Sequence, residues 1–531
     1  MMWLCITNMK NENFKKYLPK NIEVKFENNV ASFEVSVNSL AGIINDLHNN
    51  KDLSLKLITA TDERVENGCF KIWYIFGLAG ENIFIALYLK LKDTNQFPSI
   101  STIIHRASSY ERVIQTFFGL NATLNIDSRP IRLHENWPTD LFPLRKDFDW
   151  MTRPEKASGT YKFQKVKGEG IYEIPVGPIH AGIIEPGHFR FSVAGESIVL
   201  LEPRLGYTHK GSEKLFEVLP LDDKLRLSEK ISGDSSFSHS LAFCQSLEKL
   251  ANLQIPERAL YLRTIYAELE RLANHMGDIG AMMLDSGYNF GGASGARLRE
   301  MIMQINERLT GSRFLRGTNI IGGVTKDIAG RDKFKLSIDL KNIAKDFSEV
   351  INIAENSSSL LNRLKGTGKI SREIAEDIGA TGIAAKATGL MADARQDYQY
   401  AAYQELFSES KETNKEGDVY SRFKIRIEEV YSSMEIIQRA LSKIPEGEIS
   451  TIPTEINFNK DSVAINIVEG WRGQIIYFVK TDSKGNISRV APYDPSFINW
   501  NSLKYAGFDN VIPDFPLINK SFNMSYSGND L

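Results

Sequence analysis

Cysteine is nearly absent: the 531 residues hold three, Cys5, Cys69 and Cys244, far apart and never in a Cys-x-x-Cys pair. That excludes a disulfide scaffold, a cysteine-rich zinc site and an iron–sulfur cluster held by this chain alone. An excess of one charge is missing too. Lys and Arg number 64 against 66 Asp and Glu, a formal charge of −2, so there is no basic field for nucleic acid. No stretch approaches the roughly 18 uncharged apolar residues of a membrane span. The richest, Ile72 to Leu91, is interrupted by Glu81 and Asn82. Met1–Ile6 is too short for a signal peptide and is broken at once by Asn8, Lys10 and Asn11. A cytoplasmic chain is expected, with membrane contact left to other subunits. No G-x-G-x-x-G follows a strand, so NAD is not expected here. Phe290–Gly295 is glycine-rich, but the Gly-Lys-Ser/Thr of a P-loop does not follow it.

What is present is an ordinary globular composition, 42% hydrophobic and 24% charged, over a length that exceeds one core. The fold class read from it is α+β. A small N-terminal α/β domain (1–150) precedes a polar, aperiodic linker (151–172) with Pro154, Gly159, Gly168 and Gly170. A larger, mainly helical domain with peripheral strands then runs over 173–531. In the first domain strands are expected over Ile22–Phe26, Ala31–Val37 and Leu53–Asp62. An amphipathic helix follows over Val37–His48, then a hairpin of Lys71–Leu78 with Ile83–Leu91. A short helix opens at Ser109–Arg112 and ends near Gly119.

The larger domain is organised around Ser232–Gly287. A polar turn, Ser232-Gly233-Asp234-Ser235-Ser236-Phe237-Ser238-His239, leads a helix to about Leu250. Pro256 suits the start of the next one. From there Leu262, Ile265, Leu269, Leu272, Met276, Ile279 and Met283 step by three and four, and Gly287 is a plausible stop. Glu268, Arg271, His275 and Asp278 make a second, polar stripe, with Glu268 and Arg271 spaced to pair. His275 reads as a tie to a neighbouring helix or as a ligand. Upstream, His180 and His188 flank a Gly- and Pro-rich loop before a strand pair, Phe189–Val193 and Ser197–Pro203. Two imidazoles there can protonate a bound carbonyl or quinone oxygen, or simply satisfy hairpin backbone. Helices are expected over Ala296–Thr310, Lys335–Lys365 and Tyr420–Lys443, with an exposed loop at 407–417. Short strands from about Thr454 end in an irregular tail containing Asp494-Pro495-Ser496-Phe497-Ile498-Asn499.

These landmarks, in this order, resemble the large subunit of energy-converting, membrane-bound nickel–iron hydrogenases and its relative, the quinone-module subunit of respiratory complex I. The resemblance is carried by Gly177–His180, Arg204–Leu215, Pro256–Asp285, Thr310–Phe314 with Ile321–Val324, Asp418–Arg422 with Arg426 and Glu428-Glu429, Arg472-Gly473 and Asp494–Phe497. The N-terminal part is similar to the small complex I subunit often fused ahead of it, through Ser109–Gly119 and Asn136–Phe148.

The resemblance implies where metals would sit. In the hydrogenases two Cys-x-x-Cys pairs supply four thiolates, the first as Cys-Gly-x-Cys with a histidine four residues on. Ser232-Gly233-Asp234-Ser235 and His239 fill that frame here, and the second pair, after Asp494-Pro495, falls on Ser496 and Asn499. Low-spin nickel and iron need soft, deprotonated sulfur. The expectation is therefore no metal and no cofactor bound by this chain, with a quinone headgroup the acceptor that the complex I resemblance allows. His180, His188, Asp234, His239, Arg472 and Asp494 are the candidate catalytic residues. Arg472 matches an arginine that overhangs the metals in hydrogenases, or closes the emptied cavity by a salt bridge. The tyrosine partner of complex I has no counterpart between Lys210 and Ala259. The resemblance further implies a hetero-oligomer with an iron–sulfur cluster subunit and with antiporter-like and anchor membrane subunits, on the cytoplasmic face of the inner membrane. It implies an oxidoreductase that couples electron transfer to ion translocation. A non-redox coupling subunit of an ion- or bicarbonate-transport assembly is the other reading.

Overall fold

A computed structural model describes residues 14–19, 22–407, 415–451 and 455–531. Met1–Ile6 and most of the loop expected at 407–417 lie outside the described residues.

The N-terminal part is a five-stranded sheet. Its strands are β1 (Lys25–Glu27), β2 (Val30–Val35), β3 (Leu53–Glu63), β4 (Cys69–Leu78) and β5 (Ile83–Leu91), in the order β1-β2-β5-β4-β3. Only β2 and β5 pair in parallel. Helix α1 (Val37–His48) leads from β2 to β3, opened by Ser36, whose side chain accepts from Ser39 N in a capping box. Helix α2 (Ala107–Phe118) ends on Gly119 in the left-handed region. The expected strand at Ile22–Phe26 is shorter and later: only Lys25–Glu27 finds pairing partners, across Asn28 and Asn29, both at positive φ.

After residues 152–167, which carry no helix or strand, comes a three-stranded antiparallel sheet. It comprises β6 (Ile171–Val176), β7 (His188–Ala194) and β8 (Ser197–Arg204). Helix α3 (Ser236–Leu250) leads to the 29-residue α4 (Glu257–Asp285), which packs on α5 (Asn289–Thr310). The glycine-rich Phe290–Gly295 lies inside α5 from Phe290 on. A Cβ on Gly295 would lie 2.4 Å from the Cα of Gly280, so the two helices cross backbone to backbone there. The helix expected over Lys335–Lys365 is two, α6 (Gly330–Glu355) and α7 (Ser358–Leu364). Ser357 breaks it by capping Leu360 N with its own hydroxyl. Helix α8 (Val419–Lys443) lies along α4.

A second three-stranded antiparallel sheet, β9 (Val463–Gly470), β10 (Gly473–Thr481) and β11 (Ile487–Tyr493), precedes the tail. That tail is helical, not irregular: α9 (Ser496–Ala506), α10 (Phe515–Phe522) and α11 (Tyr526–Asp530). Helix α9 is buried on nearly every side, so its sequence has no one-sided apolar stripe to betray it.

The core runs unbroken through both parts. Trp73 of β4 lies 5.7 Å from the ring of Phe478, and Tyr110 of α2 lies 5.0 Å from that of Tyr493. Lys56 donates to Gln474 Oε1 at 3.0 Å, and Arg489 Nε to the Ala60 carbonyl at 3.2 Å. Each large apolar side chain in such a core contributes about 1.5–3 kcal/mol of burial. The N-terminal sheet is thus a wall of the larger part. Among the described residues no helix is long and apolar enough to cross a membrane.

Candidate functional site

Three loops converge where α3, α9 and the β9–β10 turn begin or end. The Ser232–Ser235 turn is held by its Asp234 carbonyl, which accepts from Asn274 Nδ2 at 2.9 Å and from Trp471 Nε1 at 3.1 Å. Asp494 accepts from Ser496 N at 2.8 Å and so starts α9. The two-residue turn Trp471-Arg472 closes on Gly473, whose φ of +139° and contact with Thr381 leave no room for a side chain.

Arg472 stands at the centre. Its guanidinium forks onto Asp234, Nη1 to Oδ1 at 2.6 Å and Nη2 to Oδ2 at 2.7 Å. The same Nη1 reaches the hydroxyls of Ser232 at 3.4 Å and Ser235 at 3.5 Å. Ser232 also donates to Ser525 Oγ at 2.9 Å, and Ser525 N donates to Ser496 Oγ at 2.8 Å. Asn499, one turn along α9, pairs its amide with both backbone groups of Thr381 at 3.1 Å. The adjoining Gly382 lies so close to the Arg472 carbonyl that a Cβ would meet it at 2.2 Å. Ser232 and Ser235 thus touch the Arg472 guanidinium, Ser496 joins them through Ser525, Asn499 through the Thr381–Gly382 backbone, and all four are buried.

Beside them runs a buried Tyr–His–Asp chain. His239 Nε2 lies 3.1 Å from Asp494 Oδ2, and its Nδ1 lies 3.1 Å from the Tyr477 hydroxyl. Burial works to raise the Asp494 carboxyl, but its bond to His239 and the nearby Arg472 hold it below the usual range. The ionised Asp494 accepts a hydrogen bond from Nε2–H, which leaves Nδ1 to accept from the Tyr477 hydroxyl. Burial likewise opposes the charge on Asp234, and Arg472 overrides it. Glu270 of α4 behaves in the opposite sense. It accepts from Phe237 N at 2.7 Å and Ser238 N at 3.1 Å, yet burial pushes its carboxyl up to about 7. The cluster thus offers one fixed ion pair, one imidazole held between a carboxylate and a phenol, and one carboxyl that holds its proton near neutrality.

Residues 285–467 match the family described as the respiratory-chain NADH dehydrogenase 49 kDa subunit, and residues 33–154 that of the 30 kDa subunit. Formate hydrogenlyase subunit 5 of Escherichia coli is 31% identical over 93% of this chain and 88% of its own. The fused C/D component of the NADH-quinone oxidoreductase of Phocaeicola vulgatus is 32% identical over 76% and 81%. The membrane-bound hydrogenase subunit alpha of Pyrococcus furiosus is 30% identical over 64% and 83%. This chain belongs to the complex I and membrane-bound hydrogenase large-subunit family.

In this complex I-type subunit, His180 and His188 stay apart from the cluster. His180 Nε2 lies 2.7 Å from the Gly187 carbonyl and His188 Nδ1 3.4 Å from that of Gly177. Among the described residues, no hydrogen bond or ion pair of either reaches Asp234, His239, Arg472 or Asp494. Their loop touches the site indirectly, through Glu185, which accepts from Ser527 N at 3.1 Å. It exposes Ile179, Ile183 and Ile184.

The polar stripe of α4 lies behind Trp471 as a buried ionic lattice. Glu268 accepts from Arg271 Nε and Arg395 Nη1, each at 3.2 Å, and from the Tyr403 hydroxyl at 2.6 Å. His275 Nε2 lies 2.7 Å from Glu429 Oε2, and Lys386 donates to Glu429 Oε1 at 2.6 Å. Asp278 joins Arg426 at 3.1 Å and Asn523 at 2.6 Å. His275 is therefore a tie between helices. Cys244 is wholly buried, and burial pushes its thiol up, out of reach of nucleophilic or ligand chemistry. Sequence reasoning missed Tyr477, Glu270 and Ser525. The first sits in a fully buried strand and the last in the tail, with no spacing to tie either to His239 or Ser232.

Proposed function

We propose that this chain is the large peripheral subunit of a membrane-attached, complex I-like oxidoreductase related to the energy-converting hydrogenases, with the nickel–iron site lost. In this reading electron transfer, with a quinone as one candidate acceptor, is coupled to ion translocation. The observation that carries it is the set of groups around Arg472: three neutral hydroxyls and an amide at the four thiolate positions, each already hydrogen-bonded within the protein. Such donors do not fit low-spin nickel and iron, and the guanidinium among them repels a cation. No step is therefore routed through a metal.

An iron–sulfur subunit would abut the Ser232–His239 turn and supply the electrons. Uptake of a proton at His239, stabilised by Asp494, would follow reduction of an acceptor nearby, and His180 and His188 would serve at the loop. The exposed isoleucines of that loop suit apolar contact with membrane subunits, which would place the chain peripherally on the cytoplasmic face. Alone, the chain would be inactive.

The second reading, a non-redox coupling subunit of an ion- or bicarbonate-transport assembly, is favoured by one feature. The Arg472–Asp234 fork is a closed ion pair set directly against Ser232 and Ser235. The two separate in the purified membrane complex. Under the first reading, metal analysis finds no nickel and hydrogen uptake is absent, while ferredoxin or quinone turnover drives ion movement in vesicles. Turnover absent with ion movement retained would leave the coupling role; nickel at one per chain would overturn both.

A further inference from the structure

The face of α9 that carries Phe497, Trp500, Asn501 and Lys504 lines a cavity of about 60 Å³, which residues 109–132, β8 and the α11 helix close from the other sides. A water needs about 10–15 Å³ on this measure, so the space holds several waters or one small oxyanion.

Its wall is cationic. Arg112, Arg129, Arg132, Arg204 and Lys504 line it against a single carboxylate, Glu202. Glu202 is already occupied by Arg129 and by Gln164 N at 2.8 Å. The carboxylates behind the wall are shared. Asp127 takes both Arg112 and Arg129, Glu135 takes Arg204, and Glu213 takes Arg132 together with Arg489. Five arginines thus divide four carboxylates and Lys504 pairs with none, an excess of two positive charges among these groups. Donors are also left over. Arg132 Nη2 and Arg204 Nε are buried without a hydrogen-bond partner, on side chains 1% and 5% exposed as residues. Lys504 has no hydrogen bond or ion pair among the described residues, and burial, then Arg112, lowers its pKa. Uncompensated buried charge is costly, and a dianion would relieve it.

We propose that this cavity binds a phosphate-class oxyanion, free or as the phosphate of a lipid headgroup, through Lys504, Arg132 and Arg204. A tetrahedral dianion matches both the excess charge and the three unused donors. Its seat is coupled to the Arg472 cluster. Trp500 Nε1 donates to the Ser525 carbonyl at 3.3 Å, and Arg132 Nε to that of Asn529 at 2.8 Å. An occupied cavity holds α11 and Ser525 in place against Ser232.

The full chain, titrated with potassium phosphate against potassium chloride at matched ionic strength, tests this. The expected result is a saturable rise of roughly 2–4 °C in thermal midpoint with phosphate alone. In K504Q the half-saturating concentration rises about tenfold or more. Flotation with phosphatidylcholine vesicles, with and without phosphatidic acid, separates the sources. Flotation that needs both phosphatidic acid and Lys504 assigns the lipid phosphate; saturation without flotation assigns the free anion. A midpoint that follows ionic strength alone, with no Lys504-dependent flotation, overturns the site.

Discussion

Asp234 keeps 35% of its side chain exposed while Arg472 keeps 6%, so the two ends of this ion pair lie in different surroundings. Removing the arginine leaves a carboxylate that water can still reach. R472M should therefore cost about 1–3 kcal/mol, below the 3–5 of a fully buried pair, read as a lowered thermal midpoint. R472K should recover only part of it, since an ammonium cannot fork onto both oxygens. Glu469 gives a prediction that depends on pH. Its Oε2 accepts from Ala394 N at 2.8 Å, its Oε1 has no partner, and burial, reinforced by Asp393, raises its pKa. A raised carboxyl binds its proton in the folded state where the unfolded chain, near 4.3, has lost it. Its stabilising contribution is thus full below that value and is lost as pH rises through the folded pKa. E469Q, with no proton to lose, should gain on the native protein between pH 5 and pH 8, measured as the difference in midpoints. At this scale the sequence was partly legible. Ser232, Ser235, His239 and Asp494 are marked by the resemblance to the hydrogenase frame, whereas Tyr477 and Ser525 gain their roles only when strand and tail fold back onto them.

Among the elements, α4 is the clearest case of a helix whose two faces do different work. Its apolar stripe was readable from the three-and-four spacing, and Glu268 and Arg271 do pair, at 3.2 Å. Their further partners were not readable, because Arg395, Tyr403 and Glu429 lie more than a hundred residues away, the first two in short segments with no period of their own. Arg395 binds Asp393 at 2.7 Å and Glu268 at 3.2 Å, 2% exposed. R395L removes one cation from between two buried carboxylates and should destabilise by about 3–5 kcal/mol, visible in denaturant or thermal unfolding. The tail shows the converse failure of pattern reading: α9 lacks a polar face because it is surrounded, so helical periodicity had nothing to display.

For the molecule as a whole, the five-stranded sheet and the larger part share one core, although composition marks a break between them. Residues 152–167 have no regular structure, and Lys156 among them is exposed. Limited trypsin should cut there first. The two pieces should then co-elute on gel filtration and melt together, since Trp73, Tyr110, Lys56 and Arg489 hold across the cut. Pieces that separate under native conditions would show that residues 152–167, not the shared core, join them.

Residues 152–167 therefore serve as a tether, raising the local concentration of one half around the other, with Lys162 and Gln164 as local ties to Arg129 and Glu202. Two genes in place of one would yield polypeptides that already fit. Their encounter would slow, and the assembled particle would be the same.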